Sequence, residues 1–268
     1  MSNIVQVDND AGVTWLTLCT PQVGNVLNAA LIAALQGALA QANGDPACRV
    51  IVLRAQGADF CKGLDLAWTV AQQGQPDGAF LQNVVDMLTA ITTADKPVIA
   101  YVEGAVSGGG VGLVAACDLV FAGAQATFML PEVIIGMIPA LITPFLLRRM
   151  PLAHVRYLTL SSRSLAATEA KGFGLVDEVA DATAETLAHL LEKQLQRLFR
   201  SSPAALAESK RYFQQLEQGQ LAQQTALARR HLAAWLAQPT VATGLQSFVE
   251  GFSPDWWAKY RLKNFKEI

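Results

Sequence analysis

The chain has 268 residues, of which 52% are apolar and 16% are charged, and its net charge is −2. A charged share well below the usual figure of about 25% indicates a folded protein with surface buried against other subunits, and it excludes a disordered chain. The sequence has no basic run, so nucleic acid is not expected as a partner.

Membrane and secretory segments are not expected either. The uncharged apolar stretch from Val133 to Leu147 contains Pro139 and Pro144 and is shorter than the about 20 residues of a spanning helix. The N-terminal residues lack the pattern of a signal peptide, and four widely spaced cysteines form no metal-binding pattern. We therefore expect a cytoplasmic protein with free thiols, no metal and no membrane partner.

Predicted strands and helices alternate along the first half of the chain. Two strands flank a turn at residues 9–12, and the following helix ends near Gly44. Two short apolar strands, one at Arg49 to Arg54 and one beginning at Pro97, each lead into a loop that contains glycine. This alternation is typical of an α/β layer structure.

The pattern becomes helical from about Pro144 onward. We predict an α/β core over residues 1–190 and a helical C-terminal region over residues 191–268 for oligomerisation and as a lid. The tail contains Trp256 and Trp257 followed by basic residues. It is interpreted as a helix packed on its own or a neighbouring subunit, with a lid or docking surface as the alternative.

The two glycine-containing loops are the main functional signal. One contains Lys62, Gly63 and Leu64, and the other has four glycines within residues 108–112. If their strands share a sheet, both loops emerge at the edge where open α/β sheets bind ligands. Two converging backbone N–H groups would form an oxyanion hole, whereas close helix–sheet packing is the alternative reason for the glycines. Neither nucleotide-binding glycine pattern is present.

Four ordered blocks make the chain similar to the enoyl-CoA hydratase/isomerase, or crotonase, superfamily. They read DFCKGLDL, KPVIAYVEGAVSGGGVGLVAACDLVFAG, ATFMLPEVIIGMIPA and LTLSSRSLAATEAKGFGLVDEV. The resemblance implies an α/β fold, a ClpP-like spiral of repeated ββα units with a helical C-terminal trimerisation region, assembled as a homotrimer or hexamer. It also implies a thioester substrate on CoA or on the phosphopantetheine of an acyl carrier protein, with no further cofactor.

The same resemblance implies the roles of individual residues. The family's two oxyanion-hole amides correspond to Leu64 and Gly109, which would hold the thioester carbonyl oxygen as it becomes an enolate. Of the two glutamates typical of hydratases, the second corresponds to Glu132, whereas the first position is occupied by Gly112. We expect Glu132 to be the acid/base group and Gly112 to leave open space for a branched β-carbon.

Three further residues complete the expected substrate site: Lys62, Gly63 and Gly108. We expect the Lys62 cation to pair with a distal substrate carboxylate or a phosphopantetheine phosphate, with a solvated loop lysine as the alternative. Asp65 is interpreted as a cap for the helix that follows. Outside this site, Arg148 and Arg149 are expected in surface or subunit salt bridges, with a carrier-protein contact as the alternative, and His154 and Tyr157 in local packing.

A narrower resemblance points to the dehydratases of polyketide β-branching cassettes. The stretches GGGVGLVAACD, PEVIIGMIPALITPFLLRRM and HVRYLTL carry it. It implies dehydration of a 3-hydroxy-3-methylglutaryl group on an acyl carrier protein to the 3-methylglutaconyl product. Three alternatives remain open at this point: a catabolic CoA-thioester hydratase or isomerase, a cassette decarboxylase, and a non-catalytic thioester-binding scaffold.

Overall fold

The strands of the computed structural model form two sheets, and the structure describes residues 4–65, 78–135, 137–180, 184–216, 239 and 252. The strands are β1 (Val5–Asp10), β2 (Val13–Leu18), β3 (Val50–Ala55), β4 (Asp59–Cys61), β5 (Val98–Val102), β6 (Ala105–Ser107), β7 (Leu119–Ala122), β8 (Thr127–Met129), β9 (Leu165–Ala166) and β10 (Glu178–Val179). The helices are α1 (Ala29–Gly44), α2 (Gly78–Thr93), α3 (Gly109–Ala116), α4 (Thr143–Leu147), α5 (Leu152–Ser161), α6 (Ala167–Gly172), α7 (Ala184–Arg200) and α8 (Pro203–Leu216).

The larger sheet has the order β1-β2-β3-β5-β7-β10. The hairpin β1–β2 is antiparallel, and every other pair in this sheet is parallel. Strands β3 and β5 are direct neighbours, with Ile51 opposite Val98. This pairing meets the condition set for the two glycine-containing loops, namely that the strands before them share a sheet.

A smaller sheet, β4-β6-β8-β9, was not apparent in the sequence. Its first three strands are parallel and have only three residues each, which is too short for a recognisable alternation. Each one follows a strand of the larger sheet after a sharp corner. A Cβ atom at Gly104, in the second of these corners, would overlap the Ala58 carbonyl of the first. The succession β5, β6, α3 is one ββα turn, and its repetition confirms the predicted spiral.

The larger sheet is buried on both faces. Helices α1, α2 and α3 cover one face, where Leu16, Leu53 and Val102 lie in the main core. Helix α7 covers the other face, where Trp15 and Tyr101 contact its leucines. Because strands buried on both sides carry continuous apolar runs, β3 and β5 were recognisable in the sequence. Helix α7 also runs across the predicted boundary at residues 190 and 191.

The second half of the chain is not helical throughout, in contrast to the prediction for residues from about Pro144 onward. Strands β9 and β10 interrupt the segment predicted to be helical from about Pro144 onward, so that prediction is wrong there. Two-residue strands that add to sheet edges leave no periodic signal. The tail with Trp256 and Trp257 lies outside the described residues. No helix in the described part of the chain is long and apolar enough to cross a membrane.

The four cysteines are free thiols, as predicted. Cys48, Cys61 and Cys117 are buried, whereas Cys19 is partly exposed. Burial raises the pKa of the Cys61 and Cys117 thiols to about 12, so both remain protonated at neutral pH.

Helix α8 is tied to the sheet by a mostly buried ion pair. Lys210 Nζ lies 2.6 Å from Asp118 Oδ2 and donates a second hydrogen bond to the Lys96 carbonyl at 2.9 Å. The same Asp118 oxygen accepts the backbone N–H of Val98 at 2.7 Å. A second pair on this helix, Arg211–Asp95, is about half exposed on both sides. The Lys210 pair is thus mostly buried and bonded to the backbone, whereas Arg211 is half exposed and pairs with Glu208 as well as Asp95.

We predict that Lys210→Met lowers the free energy of unfolding by about 3 kcal/mol, because it leaves the Asp118 carboxylate without its cation in a largely buried position. Arg211→Met is the matched control and is expected to cost below about 1 kcal/mol, as exposed pairs do. Urea denaturation of the three proteins measures both values. Equal losses in the two variants would contradict the distinction between the pairs.

Candidate active site

The two glycine-containing loops meet at one edge of the smaller sheet. Strands β4 and β6 are parallel neighbours, and each is followed at once by a turn. Gly63 (φ +83°) and Gly108 (φ +54°) hold the left-handed backbone conformations of these turns. A Cβ atom at Gly63 would lie 2.8 Å from both the Gly109 nitrogen and the Ser107 oxygen. The loops do emerge at the same edge, as expected, but the edge belongs to the smaller sheet.

The pairing of the first loop leaves the backbone N–H of Leu64 without an acceptor among the described residues. Leu64 forms an isolated parallel bridge with Leu27, in which Leu27 N donates to Gly63 O at 2.7 Å and Leu27 O accepts from Asp65 N at 3.2 Å. In such a bridge the N–H of the central residue points away from the partner strand. Within the described part of the chain, the Leu64 N–H donates no hydrogen bond.

Gly109 supplies the second amide. It is the first residue of α3, where backbone N–H groups have no acceptor inside the helix, and its N–H makes no hydrogen bond with the described residues. A Cβ atom at Gly109 would lie 3.7 Å from the Leu64 nitrogen and 3.0 Å from Leu27 Cδ1. The two amide nitrogens are therefore close neighbours, and two N–H groups that converge on one point can stabilise an oxyanion.

Close packing accounts for the next glycine of the run. A Cβ atom at Gly110 would overlap the Cys61 carbonyl oxygen, so α3 can approach β4 only with glycine at this position. Close helix–sheet packing, one of the two explanations considered for the glycine run, therefore holds at Gly110.

Glu132 carries the carboxylate of the site. It follows Pro131 and begins a 3₁₀ helix, Glu132–Ile135. Its Oε1 would lie 3.4 Å from a Cβ atom at Gly108, while its Oε2 is buried and has no hydrogen-bond partner among the described residues. Burial raises the pKa of Glu132 above the usual glutamate value. A carboxyl group in this state is suited to take up and return a proton.

These groups surround a cavity of about 320 Å³ whose walls are mainly apolar. The lining residues are Lys62, Leu64, Leu81, Val84, Gly108, Gly109, Pro131, Glu132, Met137, Ile138, Pro139, Ala140, Leu141 and Ile142. Five of the seven predicted site residues thus lie around one space, and Gly63 supports it from the neighbouring turn. Among the described residues, no group of three or more His, Cys, Asp and Glu side chains is placed to hold a metal ion.

The expectation of open space at Gly112 is wrong. A Cβ atom at Gly112 would overlap Cγ2 of Ile142, a buried residue that itself lines the cavity. Gly112 is therefore covered by an isoleucine. Sequence reasoning missed Ile142, although it lies within the quoted stretch PEVIIGMIPALITPFLLRRM, because it approaches α3 only in the folded chain.

Lys62 lies at the edge of the cavity, and its side chain is about half exposed. Its ammonium group is 2.9 Å from Asp59 Oδ2, and its aliphatic part lies against Gly24. An anion bound at this edge would therefore share the Lys62 cation with Asp59. The segment after Asp65, whose helix start Asp65 is predicted to cap, lies outside the described residues.

Arg149 has a structural position within this chain. It pairs with Asp177 at 2.6 Å and donates to three backbone carbonyls, and its side chain is mostly buried, so the expected surface or subunit salt bridge is internal here. Arg148 is exposed. His154 stacks on Phe173 and Tyr157 contacts the edge of the same ring, which confirms the predicted local packing.

The chain belongs to the enoyl-CoA hydratase/isomerase family, whose profile matches residues 8–259. It is 28% identical to the bacillaene synthase dehydratase PksH of Bacillus subtilis strain 168, covering 94% of this chain and 96% of that one. It is 32% identical to the 2,3-dehydroadipyl-CoA hydratase of Escherichia coli K12, covering 96% and 99%.

Solved structures show the same fold. Pseudomonas aeruginosa AtuE superimposes with a TM-score of 0.88 at 32% identity, over 95% of this chain and 99% of that one. An enoyl-CoA hydratase/isomerase from Marinobacter aquaeolei gives a TM-score of 0.86 at 30% identity, over 95% and 99%. The protein therefore has the crotonase fold, as predicted.

We predict that Glu132→Gln stabilises the fold at neutral pH. Because the pKa of Glu132 is raised in the folded state, the folded protein binds this proton more tightly than the unfolded chain does. The wild type then loses stability as pH rises from the usual glutamate pKa of about 4.3 through the folded value, and glutamine does not titrate. Unfolding measured between about pH 4 and pH 8 should show the advantage of the variant growing and then levelling off. A difference that does not change with pH would contradict this account of the carboxylate.

Proposed function

We propose that this protein is a dehydratase that converts a 3-hydroxy-3-methylglutaryl-type thioester on an acyl carrier protein into the 3-methylglutaconyl thioester. The observation that carries the proposal concerns Glu132, the one carboxylate among the described residues that line the apolar cavity. Its Oε2 is buried, and it shares the cavity with two unbonded amides, at Leu64 and Gly109. Members of the family to which the chain belongs act as enoyl-CoA hydratases and isomerases, so thioester chemistry at this site agrees with the family.

In the proposed first step, Glu132 removes the proton from the α-carbon of the substrate. The electron pair of the broken C–H bond moves toward the thioester carbonyl, whose oxygen becomes negative. That oxygen accepts hydrogen bonds from the N–H groups of Leu64 and Gly109. Each such donor is worth about 3 kcal/mol in oxyanion holes that have been dissected by mutation. The N–H groups favour the enolate over the neutral ester because the charge develops only as the proton leaves.

In the second step the enolate expels the β-hydroxyl group. The C–O bond breaks, the double bond forms between the α- and β-carbons, and Glu132 returns its proton to the departing oxygen, which leaves as water. Glu132 is the only carboxylate among the described residues that line the cavity, so one group serves both transfers. A raised pKa suits this double use, because the group must both accept and release a proton near neutral pH.

Ile142 acts on the choice of substrate in this proposal and not on the direction of the reaction, because a catalyst speeds the hydration and the dehydration of one substrate equally. Ile142 occupies the space that a side chain at position 112 would need, and it presents only carbon atoms to the cavity. A water molecule there lacks the second carboxylate that would orient it for addition to a simple enoyl thioester. The apolar wall also offers a surface for the methyl branch of the substrate, while a distal carboxylate at the edge would share the Lys62 cation with Asp59.

The proposal also names the group that carries the thioester, which is an acyl carrier protein or CoA. Similarity to the bacillaene synthase dehydratase over nearly the whole chain supports a substrate held on an acyl carrier protein. The 32% identity to a CoA-thioester hydratase favours the second candidate, hydration of a CoA-linked enoyl group. We also propose that the enzyme works in the cytoplasm as a homotrimer or hexamer and needs no cofactor beyond the phosphopantetheine arm that carries the substrate.

We predict that incubation with 3-hydroxy-3-methylglutaryl carrier protein gives a product lighter by one water in intact-protein mass spectrometry. Glu132→Gln, which retains the shape of the side chain but cannot accept a proton, is expected to lose more than about 90% of kcat while remaining folded. Faster turnover of crotonyl-CoA would identify a hydratase, and loss of carbon dioxide from the 3-methylglutaconyl carrier protein would identify a decarboxylase. No reaction with any of the three would leave a non-catalytic binding protein.

We predict that Gly109→Val abolishes turnover. Its side chain would press on Leu27 Cδ1 and move the amide away from the carbonyl oxygen. Gly37→Val is a matched control, because a Cβ atom at Gly37 meets nothing within 4 Å. Gly109→Ala is included in case the valine variant fails to fold, and it is expected to be slower than wild type. A folded Gly109 variant with normal kcat would contradict the oxyanion role of Gly109.

A further inference from the structure

Asn25 is a fully buried polar residue that the proposed chemistry does not use. Its side-chain amide makes four hydrogen bonds: Oδ1 accepts from the backbone N–H of Thr20 at 2.8 Å and from Thr20 Oγ1 at 3.3 Å, and Nδ2 donates to the carbonyls of Gln56 at 3.0 Å and Asp59 at 2.9 Å. Its backbone has a φ of +50°, in the left-handed region that asparagine enters more easily than most residues. Both the hydrogen bonds of the side chain and the backbone conformation therefore suit asparagine at this position.

The residues beside Asn25 hold the loop that carries the proposed oxyanion amide. Gly24 O accepts from Lys62 N at 3.0 Å, on one side of Asn25. On its other side, Leu27 bonds to Gly63 O and Asp65 N through its own N–H and C=O. The segment from Gly24 to Leu27 thus runs along the loop from Lys62 to Asp65 with three backbone hydrogen bonds.

Asn25 also connects this segment to the corner between β3 and β4. The two carbonyls that it binds, at Gln56 and Asp59, flank that corner, and β4 leads directly into the loop. The Asn25 side chain therefore links the two parts of the chain that hold Leu64 in place. One is the β3–β4 corner, from which β4 leads into the loop, and the other is the segment from Gly24 to Leu27, against which the loop lies.

We infer that Asn25 is a positioning residue that sets the direction of the Leu64 N–H. Asn25 does not line the cavity, so it acts through the backbone rather than on the substrate. The inference rests on the proposed function, in which that N–H receives the developing charge. Hydrogen bonds weaken steeply when the N–H···O angle departs from a straight line. A small rotation of the loop therefore weakens the hydrogen bond to the enolate oxygen. The neutral carbonyl of the bound substrate depends on the same contact much less, so the loss falls on kcat rather than KM.

Asn25→Gly tests this inference, because glycine accepts the positive φ and removes only the side-chain amide. Asn28→Ala is the matched control: Asn28 lies three positions later, and its side chain accepts the Leu31 N–H at the start of α1 instead of holding the loop. Asn25→Gly loses four side-chain hydrogen bonds and Asn28→Ala loses one near the same segment, and the cap is worth about 1 kcal/mol.

The assay uses whichever thioester the wild type converts fastest, at a temperature where all three proteins are folded. We expect Asn25→Gly to lower kcat by at least about tenfold with KM changed less than about threefold, and Asn28→Ala to keep kcat within about twofold. Equal effects of the two variants on kcat, or an effect of Asn25→Gly on KM alone, would overturn the inference.

A wild type that converts no thioester would refute the proposed function separately. Amide hydrogen exchange then decides whether Asn25 positions the loop. We expect faster deuterium uptake in the peptide that contains residues 62–65 in Asn25→Gly but not in Asn28→Ala. Unchanged uptake in Asn25→Gly would overturn the positioning role even if the protein is not an enzyme.

Discussion

The contact between two backbone turns, one at Gly63 and the other at Gly108, is the constraint on which the site depends. The turns approach so closely that even a methyl group at Gly63 would collide with the Gly109 nitrogen. The parallel pairing of β4 with β6 brings them together, and the corners at Ala58 and Gly104 bring these strands out of the larger sheet. The spiral of ββα units is thus the reason that two amides, far apart in the sequence, lie side by side.

The same geometry explains the unusual state of Glu132. Its carboxylate lies against the Gly108 turn, where the cavity walls are mainly apolar and no described donor reaches Oε2. A carboxylate oxygen that is buried without a hydrogen-bond partner reduces the stability of a protein, and perturbed groups of this kind cluster at functional sites. The Leu64 and Gly109 amides have the complementary property, since they are donors without acceptors. In the proposed mechanism the substrate supplies what each of them lacks.

The sequence predicted the parts of this arrangement that are carried by contiguous residues. Strands β3 and β5 were visible as apolar runs, and the blocks around Leu64, Gly109 and Glu132 were visible by resemblance. Residues that act through tertiary contacts were not predictable. Ile142 covers Gly112 only because α4 packs on α3, and Asn25 contacts the β3–β4 corner only because the chain folds back between α1 and β4. A missing glutamate indicates the loss of a carboxylate, but not which side chain takes its place.

The central claim is that Glu132 removes a proton from the α-carbon while the two amides stabilise the enolate. Incorporation of deuterium at the α-carbon tests this proton transfer separately from the loss of water that follows it. A saturated 3-methylglutaryl thioester, which lacks the β-hydroxyl group, is incubated with the enzyme in D₂O and followed by mass spectrometry. The account predicts that the wild type exchanges the α-protons and that Glu132→Gln does not, with the thioester itself intact. Exchange at the same rate in both proteins, or none in a wild type that binds the analogue and dehydrates its substrate, would contradict it.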